Sequence, residues 1–374
     1  MKSFSMKKYS VVWSNLTACL FLLFQFNTYS QNIGIGTNNP KARLHIADSS
    51  VLFSASSVLP VTPHDPPVSG AGTRMLWYPD KAALRAGTVL GPHWDRDNVG
   101  NYSFAVGYNV AALAPTSIAL GRVCTATGDE SVAIGRNSVA FGAQSISMGE
   151  TCVADGISAI AIGSDALSTA DYSVAIGKNV TASGNYSTAL GSYASTSNFE
   201  GSIAIGDHST TTVMESFVAN GFRSRFAGGY RLFTNSAVTV GAFLNANANS
   251  WAALSDVRMK ENFLPVDGES FLQKIAAIPQ YSWNYIGQDV KTLRHYGPMA
   301  QDFYAAFGND DLGEIGCDTM INQQDFLGVN LIAIQALEKR TTQLSNENAM
   351  LLRRIELQDE QIKRLLQLLE EKRK

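Results

Sequence analysis

A glycine recurs every fourteen residues through the middle of the chain, and this period constrains the fold more than any other feature. "SFAVG" ends at Gly107, "SIALG" at Gly121, "SVAIG" at Gly135, "SISMG" at Gly149, "AIAIG" at Gly163, "SVAIG" at Gly177 and "STALG" at Gly191. "SIAIG" at Gly206 follows after one inserted residue. A second glycine often stands seven residues later, at Gly128, Gly142, Gly156 and Gly184. Each unit reads as a short alternating strand, a glycine turn, a second strand of small residues and another turn. The alternation in "SVAIG" sends Val and Ile to one face, Ser and Ala to the other. So short a unit cannot bury a core alone. Stacked copies can, each strand pairing with its equivalent one turn up at about 4.8 Å. The period therefore predicts a mainly β chain built on a parallel β-roll, with eight turns spanning on the order of 40 Å. Coils this thin leave apolar residues outside, which association of several chains would cover.

The cysteines fit the same stack. Cys124 and Cys152 each follow their glycine by three residues and stand two repeats apart. That places them about 9–10 Å apart, too far for a disulfide. Val110, Ala166, Val180 and Ala194 fill the same column, so both cysteines read as small core residues. With Cys317 they show no CxxC spacing, which argues against a disulfide framework or a zinc site.

The "SxAxGxxxxAxGxx" unit resembles the head repeat of trimeric adhesins of the YadA type, over roughly Asn101 to Gly221. The resemblance implies a trimeric, left-handed parallel β-roll. Ice-binding and calcium-binding rolls are the other solenoid readings. The sequence has neither a regular Thr-x-Thr ladder nor a GGxGxD nonapeptide, so calcium is not indicated.

Composition matters most at the two ends. The chain of 374 residues has a formal net charge of -3 and only 16% charged residues, which argues against a nucleic-acid binder. The N-terminus reads as an export signal over residues 1–30. Lys2, Lys7 and Lys8 precede an apolar core from Val11 to Phe26, and Thr28 and Ser30 precede Gln31. The core is short and interrupted by Ser14 and Asn15, so no transmembrane span is expected after signal removal. "LTAC" ending at Cys19 matches a bacterial lipoprotein box, but its strongest apolar stretch follows the cysteine instead of preceding it. Secretion or display at the cell surface is expected, without lipidation.

Residues 31–100 read as an N-terminal fibre segment with loops. "GIGT.NP...L.I" from Gly34 resembles the opening motif of bacterial and phage fibre proteins. His64 and Asp65 raise the thought of a metal, yet no partner stands at ligand spacing, and an exposed turn is expected. No cofactor is called for. Residues 222–254 read as short strands and hairpins, a β neck with Phe226, Tyr230, Leu232 and Phe233 as its core.

At the joint stands "LSDVRMKEN", from Leu254 to Asn262. A serine becomes a nucleophile when a base takes its proton, and lysine serves only when neutral, a state favoured by burial or a nearby cation. Arg258 is a candidate for that cation. Residues five apart share no face of a helix or a strand, so Ser255 and Lys260 meet only across a bend or between chains. The alternative is a solvated turn that caps the next segment, with Asp256 as cap or salt-bridge partner. Beyond the joint, Phe271, Leu272, Ile275 and Ile278 share a helical face, "PQYSWNY" reads as a strand, and a helix begins near Ala300.

This set resembles the peptidase S74 family, the intramolecular chaperones of phage tailspikes such as endosialidase. Its hallmarks are "SDxRxKxN", found here from Ser255 to Asn262, "hxGxxAQE", found from His295 to Asp302, and a coiled-coil tail. The match departs at Pro298, where an apolar residue is usual, and at Asp302, which replaces Glu. The resemblance implies a domain over 255–330 that guides trimerisation of the fibre and then cuts itself off. Ser255 would be the nucleophile, Lys260 the general base and Leu254–Ser255 the scissile bond, with His295 and Gln301 as structural or orienting groups.

The last segment, 331–374, reads as a coiled coil. Ile334, Ile355, Ile362 and Leu369 fall at a, Leu337, Leu344, Leu351 and Leu365 at d, and Thr341 and Asn348 are polar a residues. The expectation is an exported homotrimeric fibre, adhesin-like, whose C-terminal domain directs assembly and cleaves before Ser255. A non-cleaving fibre that retains the domain is the alternative. A hydrolase acting in trans is disfavoured, because no acidic pair or cleft motif is present. A cell-surface or extracellular ligand of the head is left open.

Overall fold

The structure is a computed structural model, and it describes residues 32–373. The export signal and Cys19 lie outside the described residues. The chain divides into two compact units, one ending at Ala227 and one beginning at Gly228.

The first unit is the predicted parallel roll. Phe104–Tyr108, Ile118–Arg122, Val132–Arg136, Ile146–Glu150, Ile160–Ser164, Val174–Ala182, Thr188–Ser195 and Ile203–Gly206 stack in parallel. Their register sets Gly107 on Gly121 and each later glycine on the next, up to Gly206. The short strands from Ala111–Ala112 to Leu167–Ser168 form a second parallel ladder. Each coil also carries two non-glycine residues in the left-handed region. Asn109, Val123, Asn137 and Thr151 make one column, and Thr116, Glu130, Gln144 and Ser158 make the other.

The core is made of small side chains. Ala119, Ala133, Ala161 and Ala175, with Ser117, Ser131 and Ser173, are fully buried. Their alternating partners, Ile118, Leu120, Val132, Ile134, Ile160 and Ile162, face outward and are only half-buried. The alternation is thus as read from sequence. The small face lies inside because two closely opposed ladders leave no room for larger residues. Cys124 and Cys152 are free and fully buried, and burial pushes both thiols up.

The sheet extends beyond the glycine repeats at both ends. Ala83–Val89 pairs in parallel with Phe104–Tyr108, setting Gly87 on Gly107, and Gly72–Tyr78 closes that end as an antiparallel strand. Arg85 stands where later coils have alanine and is fully buried. Its guanidinium donates to the carbonyls of Leu84, Ser103 and Ala112 and to Ser103 Oγ at 2.7–3.1 Å. Burial lowers its pKa to about 10. Trp94, also buried, donates its indole N–H to the Val110 carbonyl at 3.0 Å. At the far end Phe222–Arg225 pairs with Ile203–Gly206. Before the roll, Ile33–Ile35 and Leu44–Ile46 form a parallel pair.

The second unit starts with an antiparallel sheet, Gly229–Phe233, Gly241–Asn245 and Ala252–Ala253, in the segment read as a neck, whereas residues 222–225 of that segment pair with the roll. Its proposed core residue Leu232 is 59% exposed, as is Phe226 at 41% at the end of the first unit. In the single chain these side chains are not a core. Three helices follow: α1, Gly268–Ala277; α2, Ala300–Phe307; and α3, Gln323–Lys372. Asp267 caps α1 by accepting from the Glu269 amide, and Asn322 caps α3 by accepting from that of Gln324. Phe271, Phe303, Phe307 and Phe326 join the three helices, with ring centroids 5.1–5.7 Å apart. Between α1 and α2, Tyr281–Trp283 pairs with His295–Gly297. Along α3 the heptad residues Ile334, Leu337, Leu344, Leu351, Ile355 and Ile362 are all more than half exposed.

Candidate functional site

The site is built where the neck ends. Ala252–Ala253 pairs with Ala242 and Phe243 and fixes the direction in which Leu254 leaves the sheet. The chain then bends through a single 3₁₀ turn, Val257–Met259. The Met259 amide donates to the Asp256 carbonyl at 3.0 Å, and the Lys260 amide to that of Val257 at 3.2 Å. Asp256 Oδ1 caps the turn by accepting from the Arg258 amide at 2.9 Å.

This bend supplies what the five-residue spacing lacks. Lys260 Nζ donates to Ser255 Oγ at 2.7 Å. Both residues are exposed in the single chain. The Asp256 carboxylate also receives the Arg258 side chain, Nε at 3.0 Å from each oxygen and Nη2 at 2.5 Å from Oδ2. Those bonds from Arg258 hold the Asp256 carboxyl below the usual range, and Asp256 raises the guanidinium's pKa in turn. The positive charge on Arg258 is thus engaged by its own neighbour and is not left free beside the lysine.

The remaining sequence candidates lie elsewhere in the unit. His295 stacks on Trp283 with centroids 4.6 Å apart and meets Tyr285 edge-on at 5.7 Å. Its Nε2 is buried without a hydrogen-bond partner. Gln301 is exposed in the first turn of α2. Among the described residues no hydrogen bond joins either of them to Ser255 or Lys260. In the first unit, His64 pairs with Asp80 at 2.8 Å and Asp65 with Arg96 at 3.4 Å. These contacts strap a loop, and no group of three or more metal-ligating side chains occurs among the described residues. No described helix is long and apolar enough to cross a membrane.

Sequence reasoning placed Asp256 as a cap or salt-bridge partner, and it is both at once. What it missed is that Arg258 is the partner. The signal was an acid and a base two residues apart in a short polar segment.

The described chain thus combines a parallel roll of fourteen-residue coils with a second unit in which a serine and a lysine are hydrogen-bonded where a small sheet ends. Two family models match within it. Residues 126–149, 154–179 and 182–209 match the YadA head domain repeat. Residues 255–312 match the chaperone of endosialidase, the peptidase S74 domain, starting at the serine of the pair. No curated protein is significantly similar to the chain.

Proposed function

We propose that the protein is an exported, homotrimeric, adhesin-like fibre of the cell surface or extracellular space. Its C-terminal domain gathers three chains and then severs itself before Ser255. The observation that carries this reading is the 2.7 Å bond from Lys260 Nζ to Ser255 Oγ.

The chemistry balances with these groups. Neutral Lys260 takes the Ser255 hydroxyl proton, and Oγ attacks the Leu254 carbonyl carbon through a small ring of Oγ, Cβ, Cα, N and that carbon. The C–N bond breaks as the lysine returns a proton to the Ser255 nitrogen. An ester now joins Leu254 to Ser255 Oγ, and water hydrolyses it to a Leu254 carboxylate and the free hydroxyl. A lysine serves as base when withdrawn from water. Lys260 is exposed in one chain, so the withdrawal comes from neighbouring chains, and cleavage waits for assembly.

Three exposed apolar surfaces support association of chains, and the likeness to YadA head repeats supports the number three. The roll turns a column of Ile, Val and Leu outward, the neck exposes Leu232, and α3 exposes its heptad seam. Surfaces of this extent are covered in a functional assembly. Unlinked roll strands misregister easily and pair slowly. A clamp that first gathers the chains lowers both hazards, and its removal leaves the finished fibre kinetically trapped.

A denaturing gel of the expressed chain tests the reading. A fragment starting at Ser255 is expected, and it disappears in Ser255→Ala and Lys260→Ala. A single full-length band from assembled wild-type protein would count against cleavage. It would favour the second reading, a fibre that retains the domain, for which the exposure of the pair in the single chain is the supporting observation.

A further inference from the structure

We propose that Asp256 and Arg258 are positioning residues for the Ser255–Lys260 pair, an inference that rests on the cleavage reading above. They set the turn that closes the pair, and Arg258 does not act as a cation on the lysine.

The bend is weak by itself. A lone 3₁₀ turn on the surface has poor hydrogen-bond geometry and fixes several dihedrals for little gain. Lysine adds a flexible four-carbon stem whose ordering costs entropy. The turn's two backbone bonds are supplemented by the Asp256 carboxylate, which is placed to hold it from a side chain. One oxygen takes the Arg258 amide, and the pair of oxygens takes the Arg258 side chain. Residue 258 is thereby bound at both its backbone and its side chain. The turn cannot open without breaking a charge-assisted bond. The same contacts pair the charged guanidinium with a carboxylate, so the two side chains together carry no net charge.

The two roles differ in what they do to the pH profile. A cation that favours neutral lysine sets the pH midpoint of cleavage. A positioning pair sets the fraction of molecules in which Ser255 and Lys260 meet, and so sets the plateau rate.

Cleavage is followed in full-length protein bearing Asp256→Ala, Asp256→Asn, Arg258→Ala or both alanines. The expected result is a plateau rate lowered about tenfold or more in each alanine variant. The double variant should be no slower than the worse single one. Asp256→Asn, which keeps an acceptor for the Arg258 amide, is expected to lose less. The pH midpoint stays in place throughout. Unchanged rates, or a midpoint that rises in Arg258→Ala, would overturn the proposal.

Amide hydrogen exchange in the Ser255→Ala background gives a readout independent of cleavage. Met259 and Lys260 amides should exchange faster when Asp256→Ala is added. Equal exchange would sink the positioning role whether or not the wild type cuts. Failure of the wild type to cut, with faster exchange in the variant, overturns the cleavage reading and leaves standing the role of Asp256 in holding the turn.

Discussion

A Cβ placed on Gly135 would lie 2.0 Å from the carbonyl oxygen of Gly149, one coil further on. Gly135 also has φ +119, where side chains are rarely tolerated. The same two constraints recur at Gly107, Gly121, Gly149, Gly163 and Gly177. Each coil therefore needs its glycine for conformation and for the close approach of the next coil. Gly135→Ala is expected to destabilise the roll by about 2–4 kcal/mol, read as a lowered thermal midpoint. Gly228→Ala is the control. An added Cβ there meets open space, and its φ is ordinary, so the midpoint should not fall.

The left-handed columns offer the opposite test. Val123 has φ 57, a conformation that β-branched residues strongly disfavour. One coil to either side, the same position is held by Asn109 and Asn137, a residue type that tolerates it. Val123 is 37% exposed, so the part of its side chain that is covered is set against the relief of backbone strain. Val123→Asn is expected to stabilise the roll by about 1 kcal/mol, visible as a raised midpoint with the circular dichroism unchanged. A lowered midpoint would mean that outward contacts of Val123 outweigh the backbone strain.

The legibility of the chain follows from these local demands. The period wrote the roll into the sequence because every coil repeats one glycine and one small buried face. The end coils escaped notice for a matching reason. Gly87 lies off the fourteen-residue period because the segment carrying Trp94 intervenes before Phe104. Arg85 reads as a surface residue, yet it fills an alanine position inside the coil by donating to backbone carbonyls. In the neck, the aromatic pattern marks residues that seek cover without saying which chain provides it. At the joint, the spacing of Ser255 and Lys260 counted against their meeting. The bend that joins them depends on a carboxylate–guanidinium contact that no periodicity encodes.

Acid should loosen the end of the roll first. Asp207 accepts from the Ala227 amide at 2.6 Å, from Ser209 Oγ at 2.7 Å and from Arg225 Nε at 2.9 Å. The bond from Ala227, then that from Ser209, holds its carboxyl well below the usual carboxylate range. A carboxylate depressed in the folded state contributes its full stabilisation above its unfolded value, near 4. The contribution is lost as pH falls through the lower folded value. Exchange of the Ala227 amide should accelerate as pH is taken below about 4, beyond the intrinsic pH trend of a reference peptide. In Asp207→Asn that extra acceleration should vanish, because the titrating group is gone.

The polar a positions of α3 provide a test of assembly that does not involve cleavage. Thr341 and Asn348 at a, with Gln358 at d, interrupt a seam that is otherwise Ile and Leu from Ile334 to Leu369, and Thr341 turns its hydroxyl back onto the Leu337 carbonyl at 2.7 Å. Such residues lower stability while restricting register and the number of strands. If three chains meet along this seam, Asn348→Ile strengthens the tail and relaxes its specificity. The expected outcome in the Ser255→Ala background is a higher thermal midpoint for the helix together with mixed masses in light scattering, where the parent gives a single trimeric mass. A variant that is equally stable and of unchanged mass would place residue 348 outside the interface. A parent that is monomeric at micromolar concentration would remove the basis for reading α3 as the clamp.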